Sequence, residues 1–150
     1  MKKIDITGKQ KENDMKKEDK DLQLRDLCGR LPYLPKVHAD DGLSPDGKGS
    51  DYALLGVNAN KRIALLGLDF GGVYATHKEY LDNIKPYLRP ISSMTEEEKK
   101  EYNIIVDALF DTGISYLNDW LNSHHFDFRG LIQKGLAIEA PKGMYILNNK

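Results

Sequence analysis

The chain has one cysteine, Cys28, among 150 residues. A single thiol cannot form an intramolecular disulfide or supply the several thiolates of a structural zinc site, and we expect Cys28 to be a small buried residue. No stretch approaches the roughly 18 consecutive apolar residues of a membrane span, and the N-terminus lacks the apolar core of a signal peptide. These absences predict a cytoplasmic protein with no membrane partner.

A strong net charge is also lacking. The 22 Lys and Arg residues against 23 Asp and Glu residues leave a formal charge of -1. Any nucleic-acid partner would therefore need a local basic patch, because no overall field attracts phosphate. Apolar residues make up 40% of the chain, which is enough for a packed core, and the length suits one domain.

The first twenty residues differ in composition from the rest. They contain seven Lys and five acidic residues and few apolar ones, so we predict a disordered tail over residues 1–20. The remaining residues, 21–150, are predicted to form a single α+β domain. It divides into a β-rich part, residues 22–91, and a helix-rich part, residues 95–140.

Short strands are predicted throughout the β-rich part. Pro32 and Pro35 exclude a helix interior near them. Two apolar runs, 52–57 and 62–66, flank a turn with two Asn residues and predict a hairpin. Seven glycines between residues 42 and 72 favour a sharply bent antiparallel sheet. We therefore expect a small antiparallel sheet or an SH3-like open barrel.

Two to three packed helices are predicted to follow this sheet. Thr95 and Glu98 have the spacing of a capping box, which marks a helix start. Apolar residues then recur at the helical period and predict one buried face: Tyr102, Ile105, Val106, Leu109 and Phe110. Gly113 interrupts this helix, and a second amphipathic helix is predicted from Ile114 to about His124. A helical turn and a short strand are expected before Pro141.

The stretch Gly42–Gly49 has the glycine and lysine spacing of a phosphate-binding loop. It places Gly49 where that loop requires a Ser or Thr to ligate magnesium, and the residues after it indicate a strand instead of a helix. A glycine-rich turn is the interpretation we favour.

An alternation of aromatic and basic residues is the strongest indication of a partner surface. Rings that stack on bases and cations that hold phosphates are typical of nucleic-acid binding on a small barrel, but the same residues could cover the end of the barrel. The predicted partner-binding residues are Tyr74, Lys78, Tyr80, Lys85, Tyr87 and Arg89.

A second candidate site contains the metal-ligating residues His124, His125 and Asp127. Adjacent histidines on a helix point about 100° apart and cannot share an ion unless the helix ends between them. The alternative is that a histidine caps free carbonyls at the helix C-terminus.

Three longer stretches resemble one family. They are Asp26–Tyr33 (DLCGRLPY), Ile84–Glu98 (IKPYLRPISSMTEEE) and Trp120–Ile132 (WLNSHHFDFRGLI), with Gly135–Pro141 (GLAIEAP) after the last. Together they resemble small proteins of phages and mobile elements in gut Bacteroidetes, a family without an assigned activity. The resemblance implies a phage or mobile-element origin and supplies no catalytic residue. The family has Gly where this chain has Leu34, which puts the turn after Tyr33 in question.

No complete catalytic motif is present, so we expect a noncatalytic accessory binding module and no cofactor. A protein is the favoured partner, with a nucleic acid as the alternative. The competing hypothesis is a metal-dependent hydrolase that uses His124, His125 and Asp127. The sequence leaves the oligomeric state open.

Overall fold

The protein is an α+β fold, as predicted. A computed structural model describes residues 15–42, 44–70 and 73–145, except for the side chains of residues 69, 70, 73 and 74. The helices are α1 (Lys17–Arg30), α2 (Glu96–Asp107), α3 (Leu109–Thr112) and α4 (Ile114–Ser123). The strands are β1 (Lys36–Ala39), β2 (Ser50–Asn58), β3 (Ile63–Phe70), β4 (Val73–Tyr80), β5 (Ile84–Leu88) and β6 (Ile138–Glu139).

The strands form one sheet in the order β4-β3-β2-β1-β5-β6. All neighbours are antiparallel except β5 and β6, which are parallel. The predicted hairpin is confirmed, because β2 pairs with β3 up to Asn58 opposite Ile63. Its turn is closed by the Lys61 backbone N–H, which donates to Asn58 Oδ1 at 3.0 Å.

The connection from β4 to β5 requires the sheet to curl. Four interstrand spacings of about 4.8 Å would separate these strands by about 19 Å in a flat sheet. Only the 3-10 turn Leu81–Asn83 joins Tyr80 to Ile84, and four residues reach at most about 14 Å. The turn bonds to two other strand ends: Leu81 N donates to Arg62 O, and Asp40 N donates to Asn83 O, both at 2.9 Å. The sheet is thus small, open and bent toward a barrel.

The first helix was not predicted. We expected strands from residue 22 and a disordered tail before it, but residues 17–30 form α1. Residues 1–14 of the predicted tail lie outside the described residues. Cys28 is exposed on α1 instead of buried. The 3-10 turn Leu31–Tyr33 follows, and Leu34 after it has a φ of 49°, a left-handed conformation that glycine adopts more easily than leucine.

The predicted helical region is largely confirmed. Thr95 and Glu98 form the capping box, with Glu98 N donating to Thr95 Oγ1 at 3.1 Å and Thr95 N donating to Glu98 Oε1 at 2.9 Å. Gly113, with a φ of 83°, separates α3 from α4. The last helix ends at Ser123, next to the predicted end, and the predicted short strand is β6. Within the described residues, no helix combines the length and apolar character needed to cross a membrane.

The apolar core has three parts. The first part fills the curled sheet and includes Leu27 from α1. The second part lies between α2, α4 and Phe126. The third part surrounds Leu88 of β5 and contains Leu131 and Leu136. The sheet with α1 and the three later helices therefore have separate apolar clusters.

A buried ionic network fastens α1 to the segment after α4. Arg30 is fully buried, and its Nε donates to Asp26 Oδ2 at 2.8 Å. The Nη2 of Arg30 donates to the Phe126 carbonyl at 2.7 Å, and Arg129 donates to the other Asp26 oxygen, also at 2.7 Å. Each buried charge therefore has a charged partner, which its burial requires.

Candidate interaction surface

Two of the six predicted partner-binding residues are buried. Tyr87 is 9% exposed, and its hydroxyl donates to Asp51 Oδ1 at 2.8 Å. Burial and the Asp51 carboxylate raise the pKa of Tyr87 to about 12. Arg89 is 7% exposed. Neither side chain can stack on a base or hold a phosphate at the surface, so this part of the prediction is corrected.

Arg89 instead has a structural role. Its Nη1 and Nη2 donate to the two carboxylate oxygens of Glu98 at 2.9 and 2.7 Å. The guanidinium also lies over the Phe126 ring, 4.2 Å from its centre. Burial alone would raise the pKa of Glu98, but Arg89 and the Thr95 backbone bring it below its usual value. This pair fastens the start of α2 to the chain just after β5.

The other predicted partner-binding residues are not all on one strand. Lys78 and Tyr80 lie on β4 and Lys85 lies on β5, and all three are exposed. The backbone of Tyr74 belongs to β4, while its side chain is outside the described part of the chain. A role in partner binding for these four residues stays a prediction.

The three residues of the predicted metal site face different partners. His124 Nδ1 lies 2.9 Å from the Trp120 carbonyl oxygen, the carbonyl-capping geometry expected as the alternative. The Asp127 carboxylate accepts the backbone N–H groups of Leu131 and Ile132, at 2.8 and 3.0 Å. No group of three or more His, Cys, Asp or Glu side chains among the described residues is placed to hold a metal ion.

His125 is partly buried, by a contact of a different kind. Its ring stacks on Tyr145, with the ring centres 3.7 Å apart and the planes 11° from parallel. Burial, with Arg30 and Arg89 nearby, lowers the pKa of His125 to about 4. The ring is therefore neutral at pH 7. The separate partners of His124, His125 and Asp127 give the hydrolase hypothesis no support.

The helices carry an apolar surface that the sequence did not predict. Six large apolar side chains are more than half exposed among the described residues, and four of them lie within residues 104–116. These four define the helical apolar surface: Ile104, Phe110, Ile114 and Tyr116. Phe110 is fully exposed. Exposed large apolar groups concentrated in one part of a protein mark interaction sites.

A break in the helix explains why Phe110 is exposed. The sequence pattern placed it on the buried face of one continuous helix. The helix instead ends at Asp107, and Ala108 has a φ of -99° and a ψ of 15° before α3 begins. Leu109 stays packed against the core, whereas Phe110 turns to solvent.

The charge around this surface is strongly negative. Residues 95–123 contain seven acidic and two basic residues, a net charge of -5, so the rest of the chain carries +4. Asp107 and Asp111, on either side of Phe110 in the sequence, are both exposed. An acidic field repels phosphates and attracts basic partners.

The fold and this surface define an α+β protein with an exposed, acidic helical face. The chain matches no protein-family model, no curated protein and no solved structure. The resemblance to the phage and mobile-element family stays a prediction.

Proposed function

We propose that the protein is a noncatalytic binding module that recognises a protein partner through the helical apolar surface. The partner surface would combine apolar residues with Lys or Arg side chains. The observation that carries this proposal is the full exposure of Phe110, with three other exposed apolar side chains within six residues of it along the chain. Large aromatic side chains dominate the binding energy of protein interfaces.

The charge of the helices supports a protein partner over a nucleic acid. The net charge of -5 over residues 95–123 would repel a phosphate backbone. The same charge would steer a basic protein surface toward the helices and raise the rate of association. The buried positions of Tyr87 and Arg89 also weaken the case for the predicted base-stacking surface.

The resemblance to phage and mobile-element proteins supports an accessory role in a bacterial cell. The partner would then be a host protein or another protein of the same element. No residue assignment depends on this origin.

The test is affinity capture from a gut Bacteroidetes lysate, with and without nuclease. We expect the wild-type protein to retain a specific protein that nuclease does not release. The double variant Phe110→Ser and Ile114→Ser should lose it. The matched control, Leu34→Ser with Ile91→Ser, removes two exposed apolar side chains elsewhere and should retain it.

Two results would overturn the proposal. One is equal retention by both double variants, which would place the interaction elsewhere. The other is a partner that disappears with nuclease, which would favour a nucleic acid.

A further inference from the structure

A cleft of about 640 Å³ opens at the curled end of the sheet. This volume is within the range of small-molecule sites, which is about 300–1,000 Å³. Four apolar residues line it: Met15 and Ile138 are partly exposed, whereas Ile84 and Leu136 are only 1% and 8% exposed. The cleft lies apart from the helical apolar surface and shares no residue with it.

One wall of the cleft is held rigidly. His38 Nδ1 lies 2.8 Å from Asp51 Oδ1, and its Nε2 lies 2.7 Å from the Lys48 carbonyl oxygen. Gly49 has a φ of 86°, and a Cβ there would be 2.1 Å from the Ala39 carbonyl oxygen. The loop before β2 therefore packs closely against β1.

The opposite wall is fixed by a buried amide. Gln23 is 1% exposed, and its Nε2 donates to the Leu81 carbonyl at 2.8 Å. Its Oε1 accepts from Arg62 Nη2 at 2.7 Å. The same Arg62 nitrogen donates to Asp82 Oδ1 at 2.8 Å, which neutralises one of the acids that line the cleft. Two fixed walls make a cleft that is formed before any ligand arrives.

The charges left unpaired in the cleft are mainly positive. Lys48 and Lys85 line it, and neither forms an ion pair within the part of the chain that the structure describes. Lys85 is directly opposite His38 across the β1–β5 pair, so these two side chains are neighbours. Asp40 supplies one negative charge at the rim. Apolar residues beside two lysines that form no ion pair among the described residues suit an anion with an apolar body.

We propose that this cleft binds a carboxylate that carries an apolar chain. The carboxylate contacts Lys48 and Lys85, and the chain lies on Met15 and Ile138. A fatty acid and the C-terminus of an apolar peptide both have this chemistry. The site does not depend on the proposed partner surface.

The test uses calorimetric and NMR titrations of the full chain with two probes. Octanoate represents the fatty acid, and N-acetyl-leucyl-leucine with a free carboxyl represents the peptide terminus. Octan-1-ol and the amidated dipeptide keep the apolar part without the charge. We expect at least one acid to bind at a single site, to shift the methyl signals of Met15 and Ile138, and to bind more tightly than its uncharged analogue. The acid that binds more tightly shows whether the site is built for a fatty acid or for the C-terminus of a peptide.

The double variant Lys48→Ala and Lys85→Ala should bind that acid about tenfold more weakly or worse, because it removes charged hydrogen-bond donors. The matched control is the double variant Lys61→Ala and Lys78→Ala, which removes two exposed lysines that do not line the cleft. It should bind the acid like wild type. The variant Phe110→Ser with Ile114→Ser should also bind like wild type, which separates this site from the proposed function. Absence of binding by both acids, or equal binding by the two lysine variants, would overturn the proposal.

Discussion

At the scale of single residues, a charged side chain can be buried only where the fold supplies a partner of opposite charge. Arg89 and Glu98 belong to a stretch of the sequence that is rich in charges, and only the fold brings their side chains together inside the protein. The sequence did predict Glu98 as part of a capping box. It could not predict the second partner, because Arg89 reaches Glu98 through a turn whose path depends on the packing around Phe126.

Glu98→Gln should lower the free energy of unfolding by about 3 kcal/mol, because it leaves the Arg89 charge buried without its counter-ion. Glutamine can still accept the cap hydrogen bond, so the loss reports the ion pair. Glu96→Gln removes an exposed pair with Lys99 and should change stability by less than about 0.5 kcal/mol. Urea unfolding, monitored by circular dichroism, measures the free energy of unfolding of both variants. Equal losses would show that the buried pair contributes no more than the exposed one.

His125→Asn should reduce the dependence of stability on pH. The pKa of His125 is about 4 in the folded protein and about 6.5 in the unfolded chain. As the pH falls, the ring is therefore protonated in the unfolded state before it is protonated in the folded state. The stability that the protein keeps by holding this ring neutral is fully present above about pH 6.5 and is lost as the pH falls toward 4. Asparagine accepts the left-handed backbone at this position, where φ is 64°.

The measurement for His125 is urea unfolding at pH 7 and at pH 5, and both proteins contain Glu98, so its titration cancels in the comparison. Wild type should lose about 1 kcal/mol more than His125→Asn over this interval, a value reduced because the ring is partly exposed. Equal losses of stability in the two proteins would contradict a neutral, partly buried His125.

At the scale of secondary structure, local signals were reliable where chemistry fixes the conformation. The hairpin turn, the capping box and the break at Gly113 each depend on a few adjacent residues. The first helix was missed because Pro32 and Pro35 suggested a strand, although Leu24, Leu27 and Leu31 have helical spacing. Both prolines lie after the end of α1, where they do not interrupt it.

The loop before β2 gives a test at this scale. Gly49→Ala combines a φ of 86° with a Cβ only 2.1 Å from the Ala39 carbonyl oxygen. Gly47→Ala has a φ of 73° but meets nothing within 4 Å. Gly47→Ala should cost about 1 kcal/mol of stability, and Gly49→Ala about 2 kcal/mol more, because backbone must move. Thermal unfolding of the two variants compares them, and equal costs would contradict the close packing of this loop on β1.

At the scale of the whole molecule, charge separates the helices from the rest of the chain. The net charge of -1 conceals a region of -5 and a remainder of +4. The class of fold was predictable from the pattern of strands and helices. The helical apolar surface was not, because the break at Ala108 turns Phe110 away from a core that its spacing indicated.

Neutralising the acids beside Phe110 should weaken partner binding. We expect Asp107→Asn with Asp111→Asn to lower affinity severalfold at low salt, because the steering charge is reduced. The difference from wild type should shrink as salt approaches about 1 M, where the Debye length is about 3 Å. Glu18→Gln with Glu139→Gln removes two exposed acids elsewhere and is the control. A salt-independent loss would contradict an electrostatic contribution.

The most direct test of the proposed function is site-specific photo-crosslinking in lysate, with benzoylphenylalanine in place of Phe110 or, as the control, the exposed Leu34. We expect the probe at position 110 to form an adduct with one protein, insensitive to nuclease, and the probe at position 34 to form none with that protein. Adducts of equal yield at both positions, or adducts at position 110 only with a second copy of this chain or with nucleic acid, would contradict the proposed function.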